Sequence, residues 1–338
     1  MHRNLRKTIA VLLIIILIAG CATSESAISP EPTRQADATA TPVQTAFVPE
    51  PTAEPTPTAT PAPTTFSIVW ISDTQNLSRL RPDVMNCMRD WILKERESRG
   101  IAFVIHTGDV VDGCSQFMWD NAAEALVPVF EAIPGMVVSG NHDISKAEVH
   151  SAFYERPYAR AVQKDGQIFE NGKAAYQVFT ACGETFLVIG IGYNVRGQKL
   201  RTWIDETVDA YPDATVLLVL HAGLQPNDRF TGQARELFLD TVTNHPNVRL
   251  LLCGHQRGAL LHTELLDDDG DGEPERPFYT LMYNFQDDME DGLGFLRILT
   301  FDTERRCIEV ETYSPWYDAF GYAKAEPDEN AFVLENAF

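Results

Sequence analysis

Five apolar runs in this chain of 338 residues end in side chains that can hold a cation or move a proton. "FSIVWIS" (66–72) is followed by Asp73 and Gln75, and "IAFVIHTG" (101–108) by Asp109. "GMVVSG" (135–140) leads to Asn141, His142 and Asp143, "ATVLLVLH" delivers His221, and "VRLLLCGH" delivers His255. Any one of these could cap a turn or helix by itself. All five together point to one place, because sites in open α/β sheets collect beyond the carboxyl ends of the strands. Carboxylates, an amide oxygen and neutral imidazoles suit Mn, Fe or Zn, with no thiolate needed. A carboxylate between two such ions can bridge them, and a metal pair stabilises both the attacking and the leaving oxygen in phosphoryl transfer. His142 stands next to Asp143, and a histidine beside a carboxylate can hold a usable proton near neutral pH. Arg257 follows His255 by two residues and cannot ligate, since a guanidinium has no free lone pair.

The elements that must position these groups alternate. The first strand precedes a helix near 83–98, the second a helix near 115–131, and the third a helix near 146–154. "AAYQVFTAC" and "TFLVIGIG" follow, then a helix near 197–210, a strand ending at His221, a helix near 231–244 and the strand ending at His255. Apolar strands alternating with helices predict an α/β architecture. The last third changes to strands near 258–266, 277–284, 293–301 and 307–313, so the sheets are expected to be mixed.

Asp73-Thr74-Gln75, Gly108-Asp109, Gly140-Asn141-His142-Asp143, His221 and Gly254-His255 are, in order, similar to the motifs of calcineurin-like metallophosphoesterases. The resemblance spans roughly residues 66–313. It implies a four-layer αββα sandwich with two mixed β-sheets and the metals at the top of the sheets. It assigns Asp73 and position 75 to a first metal, Asp109 to the bridge, and Asn141, His221 and His255 to a second. His142 would be the acid at the leaving oxygen, with Asp143 orienting its ring. The family usually has histidines at positions 75 and 257, where this chain has Gln75 and Arg257. Both would have served the first metal. A cation at 257 is expected to face Asp73 and Asp109, offer a fork to phosphate oxygens and weaken the first site. The alternative is that Arg257 turns away into a surface ion pair while Asp73, Gln75 and waters still hold a metal. "SDTQ" (72–75), "NFQ" (284–286) and "TYSP" (312–315) resemble an exported branch of the family.

The amino terminus carries Arg3, Arg6 and Lys7 before an apolar run from Ile9 to Ala19, the layout of an export signal. Ile18-Ala19-Gly20-Cys21 resembles the lipobox of bacterial lipoproteins. That resemblance implies a signal peptide over 1–21, a lipid on Cys21 and a domain outside the cytoplasmic membrane; an uncleaved anchor is the alternative. Residues 22–65, rich in Pro, Thr and Ala, have no apolar period and read as a disordered tether reaching roughly 3 Å per residue. A metallophosphoesterase domain over 66–322 and an acidic tail over 323–338 complete the expected organisation. The formal net charge of −21 argues against a nucleic-acid-binding surface, which needs cations to displace counterions.

Weaker signals remain. Asp267, Asp269 and Asp271 are spaced like the start of a calcium loop, but its twelfth position is Phe278 rather than a bidentate Glu. An acidic hairpin turn and a calcium clip are both open. His106, inside a strand, reads as a core histidine; His150, His245 and His262 read as surface residues. Trp316, Tyr317 and Phe320 read as core, with a substrate wall as the alternative. Besides Cys21 there are five cysteines, Cys87, Cys114, Cys182, Cys253 and Cys307, an odd number that leaves one thiol unpaired within the chain. Cys253 is the expected buried thiol, and Cys87–Cys114 and Cys182–Cys307 are conceivable bridges. The resemblance implies hydrolysis of phosphate mono- or diesters outside the cell, by a metal-bound hydroxide with His142 assisting. The alternative is a surface-anchored binding or envelope-interaction module that has kept the fold and lost turnover.

Overall fold

Strand β1 (Thr65–Ile71) is buried at every position but its first, with no solvent face to alternate against. Strands of this kind lie inside a molecule, covered on both sides. The computed structural model describes residues 62–113, 115–144, 149–162, 167–286 and 293–338. The expected signal with Cys21, nearly all of the expected tether, Cys114 and the side chain of His150 lie outside those residues.

Chain order continues with β2 (Ile101–His106), β3 (Gly135–Val137), β4 (Gln167–Phe169), β5 (Ala174–Ala181), β6 (Glu184–Ile191) and β7 (Thr215–Leu220). A short pair, β8 (Leu224–Gln225) and β9 (Arg229–Phe230), precedes β10 (Val248–Cys253), β11 (Gly258–Leu266) and β12 (Arg276–Asn284). The last four are β13 (Leu296–Asp302), β14 (Cys307–Ser314), β15 (Ala319–Phe320) and β16 (Ala331–Leu334). The helices are α1 (Gln75–Leu80), α2 (Pro82–Glu95), α3 (Gln116–Ala132), α4 (Val149–Tyr154), α5 (Pro157–Ala161), α6 (Gln198–Asp209), α7 (Gly232–Leu237) and α8 (Pro327–Asn330).

Two seven-stranded sheets result. One runs β15-β14-β13-β1-β2-β3, with β16 also on β14; the other runs β11-β12-β10-β7-β6-β5-β4. Both are mixed: β1, β2 and β3 are parallel neighbours, as are β6, β7, β10 and β12, and the remaining pairings are antiparallel. Rings join the sheets face to face, Phe66 on Phe186 (5.1 Å between centroids), Phe103 on Phe179 (4.6 Å) and Trp70 on Tyr283 (4.6 Å). Ile71 meets Met85, Met88 and Ile92 of α2 and Leu126 and Val129 of α3 on the outer face of the first sheet. Leu187, Ile189, Leu218 and Leu251 pack on Leu200, Ile204 and Val208 of α6 and on Leu237 of α7. The expected αββα layering is therefore present. The edge strand β11 alternates between exposed and covered positions, as a strand with one wet face should.

Four expectations need correcting. Residues 323–338 are not a tail: α8 and β16 form, β16 pairs with β14, and Leu334, Ala337 and Phe338 are buried. Four residues of strand, paired far away in sequence, leave little local signal. Cys182 and Cys307 are free thiols, as are Cys87 and Cys253. Trp316, Tyr317 and Phe320 are 39%, 39% and 55% exposed, and the Arg81 guanidinium lies 4.8 Å above the Trp316 ring. His245 and His262 are partly covered rather than free at the surface, His262 lying between Asp228 (2.8 Å) and Glu264 (3.1 Å).

Other expectations hold. Cys253 is buried, its thiol donates to Leu281 O at 3.4 Å, and burial pushes that thiol up to about 12. In the β11–β12 turn, Glu275 joins Asp267, Asp269 and Asp271, at the ninth position rather than the twelfth. Their oxygens accept N–H groups of the same turn, from Gly270, Asp271 and Gly272, and the four carboxylates lie close enough to share a cation, so the acidic turn and the calcium clip both fit. His106 is a satisfied core residue. Its Nδ1 accepts from Gly108 N–H (3.1 Å), and its Nε2 meets the Thr74 hydroxyl (3.0 Å).

Burial holds the His106 imidazole down at about 3 from the ordinary 6.5. The unfolded chain therefore takes up a proton near 6.5 that the folded protein refuses until about 3. Acid must favour unfolding through this window, by about 1.4 kcal/mol per pH unit from this residue. In chelator, the stability of His106→Gln should fall less steeply than that of the parent below pH 6.5, measured by urea unfolding. Parallel slopes would contradict it.

Candidate metal centre

The carboxyl ends of seven parallel strands supply the site, three from one sheet and four from the other. Chain reversal there is tight, and Asp73, Asp109 and His255 all adopt left-handed backbone, with φ of 52°, 53° and 69°. Asp, Asn and His tolerate that region better than other side chains, so the turn and the ligand type are chosen together. Close approach adds a second demand. A Cβ at Gly140 would overlap Asp109 Oδ1, and one at Gly254 would overlap Ser72 Oγ and Asp73 Oδ2.

Hydrogen bonds between the sheets fix the geometry. His221, wholly buried, donates Nδ1–H to Thr107 O (2.9 Å), and His255 N–H donates to Asp73 Oδ2 (3.0 Å). Tyr193, just past β6, donates its N–H to Ser139 O (2.9 Å), and its ring lies against His221 and His255 (centroids 5.8 and 5.9 Å). At the end of β12, Asn284 Nδ2 donates to His255 O (3.0 Å), so "NFQ" holds the backbone of a candidate ligand.

The bond to Thr107 leaves His221 Nε2 as the lone-pair nitrogen of the neutral ring. Around it lie Asn141 Oδ1 (3.0 Å), His255 Nδ1 (3.1 Å) and Asp109 Oδ2 (3.3 Å). Four acceptor atoms this close cannot be reconciled by a single proton, and a cation among them satisfies all four. Asp109, His221 and His255 form one group whose candidate ligand atoms lie within 4.8 Å of one another. Asp109 Oδ1 accepts from His142 N–H (2.9 Å) and Oδ2 from Gln75 Nε2 (3.0 Å). Gln75 Oε1 is buried with no hydrogen-bond partner, a further oxygen available to a cation. The residues present fit a divalent metal.

Electrostatics agree. Burial pushes the Asp73 carboxyl up to about 7, the His221 charge opposing this and Asp109 adding to it. Burial also acts to raise Asp109, but the charge and hydrogen bond of His221 outweigh it and hold Asp109 below the usual range. For His221, burial opposes the charged ring, and Asp109 and Asp73 overcome it, lifting the imidazole to about 9. Burial and the neighbouring His221 depress His255 to about 4. The proton on His221 thus occupies the role a metal would take.

One expected role is relocated. Asp143 does not orient His142: it is fully buried, accepts N–H from Val111 (2.9 Å) and Gly140 (2.8 Å), and ties the two loops together. Because Asp143 shares a turn with His142, its side chain points back under the loop. His142 Nδ1 instead meets Asp112 Oδ1 (2.8 Å), and Arg79 of α1 pairs with the other Asp112 oxygen. Asp112 lies three residues after Asp109, and that spacing was the signal for it. Arg257 is exposed, and its charge is among those that hold the His255 imidazole down.

A metal must displace the His221 proton, so affinity should rise with pH. Calorimetric manganese titrations should show roughly a tenfold gain per unit below about 9, with proton release. A flat profile without proton release would be inconsistent with this centre.

Residues 66–257, more than half of the chain, match the calcineurin-like phosphoesterase family. The uncharacterized protein YvnB of Bacillus subtilis (strain 168) is 29% identical over 261 residues, 74% of this chain and 20% of that protein. The chain thus spans about a fifth of that relative's length. Among solved structures, TT1561 of Thermus thermophilus aligns with a TM-score of 0.44 at 13% identity, over 75% of this chain and 100% of that one. Haemophilus influenzae NAD nucleotidase (NadN) aligns with a TM-score of 0.43 at 12% identity, over 80% of this chain and 49% of that one. On the ordered motifs and the match over residues 66–257, this chain belongs to the calcineurin-like phosphoesterase family.

Proposed function

We propose that the chain is a metal-dependent phosphoesterase that hydrolyses phosphate mono- or diesters outside the cytoplasmic membrane. The observation that carries this reading is the set of four acceptor atoms from Asp109, Asn141, His221 and His255. These residues would hold one divalent ion. Asp73, Gln75 and the shared Asp109 would hold a second, more weakly, because an amide oxygen is a poorer donor to such ions than an imidazole nitrogen. Bound ions supply Lewis acidity and a nucleophile usable at neutral pH.

The chain's own groups do the rest. His142 is 44% exposed at its side chain, at the mouth of the site, with Nδ1 held by Asp112. That bond fixes the ring and leaves Nε2 to hold a proton for the leaving oxygen, while Asp112 balances the imidazolium charge. Arg79 holds the second Asp112 oxygen. Tyr193 walls the imidazoles on one side. Display outside the membrane rests on the export-like amino terminus and Cys21.

Hydrolysis of p-nitrophenyl phosphate and its diester by the purified 62–338 domain, with added manganese, tests this reading. His142→Ala should lower kcat by roughly a hundredfold or more, and Asp112→Asn by roughly tenfold or more, with manganese affinity little changed. Asp109→Asn should weaken manganese binding more than Gln75→Ala. No turnover on a wide ester panel with any divalent metal would favour the binding-module alternative. Lipid labelling should be lost in Cys21→Ser; persistent labelling would locate the anchor elsewhere.

A further inference from the structure

A cavity of about 450 Å³ opens where β6 passes into α6, lined by Phe169, Glu170, Lys173, Asn194, Arg196 and Lys199 among others. Its wall begins one residue beyond Tyr193, whose ring lies against both metal-centre imidazoles. One loop, 192–197, therefore touches the metal centre at one end and this cavity at the other.

The lining is cationic, in a chain whose net charge is −21. Lys173 (2.9 Å) and Lys199 (3.6 Å) share a single carboxylate, Glu170, and Arg196 reaches Glu236 (3.4 Å), outside the lining. All of these pairs are well exposed, and exposed ion pairs are weak, so an incoming anion can replace Glu170 at small cost. The amino end of α6 also faces the cavity. Its cap residue, Gly197, has φ of 113° and offers no side chain to the first-turn N–H groups. That twelve-residue helix adds partial positive charge where Lys199 already stands. Phe169 closes one side, its ring 5.4 Å from that of Trp203.

Resting on the phosphoesterase reading, we propose that this cavity binds a second anionic group of the substrate. The preferred substrate class is then a phosphate ester bearing another phosphate or carboxylate, with the scissile group at the metals and the distal anion on Lys173, Arg196 and Lys199.

Non-hydrolysable probes separate the two readings. Calorimetry on the manganese-loaded protein would compare alkylphosphonates with α,ω-alkane bisphosphonates of graded length. At least one bisphosphonate should bind several-fold tighter than its monophosphonate. The gain should vanish in Lys173→Gln/Lys199→Gln and shrink in Arg196→Gln, with p-nitrophenyl phosphate turnover unchanged. These side chains are exposed, and equal thermal midpoints would confirm intact folds. Equal affinity of mono- and bisphosphonates at every length, or a gain that survives both variants, would overturn the proposal. A variant-sensitive gain in a protein without turnover would keep the anion site and remove the phosphoesterase reading.

Discussion

Two carboxylates held side by side away from water set the terms for this molecule. Asp73 and Asp109 are 2% and 1% exposed, and burying unpaired negative charge is costly. Without a metal, the proton on His221, the Ser72 hydroxyl and a few N–H donors supply compensation. A divalent cation is the better partner for the same atoms. Glycine at 140 and 254, left-handed turns and the cross-sheet bonds all follow from bringing backbone that close to the acids.

The same bonds join the two sheets at their carboxyl ends. His221 and His255 rise from one sheet and fasten to Thr107 and Asp73 of the other, while Tyr283 OH donates to Trp70 O (2.7 Å) deeper in the interface. Below them the sheets are joined by aromatic packing, and at the top by polar contacts. Site geometry and sheet packing are thus one structural problem, and damage at His221 should reach both.

Much of this was legible in the sequence, because fully buried strands announce themselves as unbroken apolar runs. The polar residue ending each run was then visible, and the structure brings Asp73, Gln75, Asp109, Asn141, His221 and His255 together. Side-chain direction was not legible. Asp143 adjoins His142 in sequence yet points into the core, whereas Asp112 meets the His142 ring only through the fold of its loop. Arg257 stood where a ligand was expected, but the turn into β11 leaves it exposed. The β16 pairing and the Tyr193 wall depend on contacts far apart in the chain, for which local pattern carries no signal.

The left-handed turns at Asp73, Asp109 and His255 bear on how such a centre can change over generations. The backbone there favours Asp, Asn, His and Gly. In the genetic code Asp is one base change from Asn, from His and from Gly. A single mutation can therefore alter the charge or donor type at a ligand position while sparing the loop's conformation. Metal preference in this scaffold can drift by small steps that folding does not veto, whereas a β-branched replacement at the same positions is rejected by the backbone before chemistry is tried.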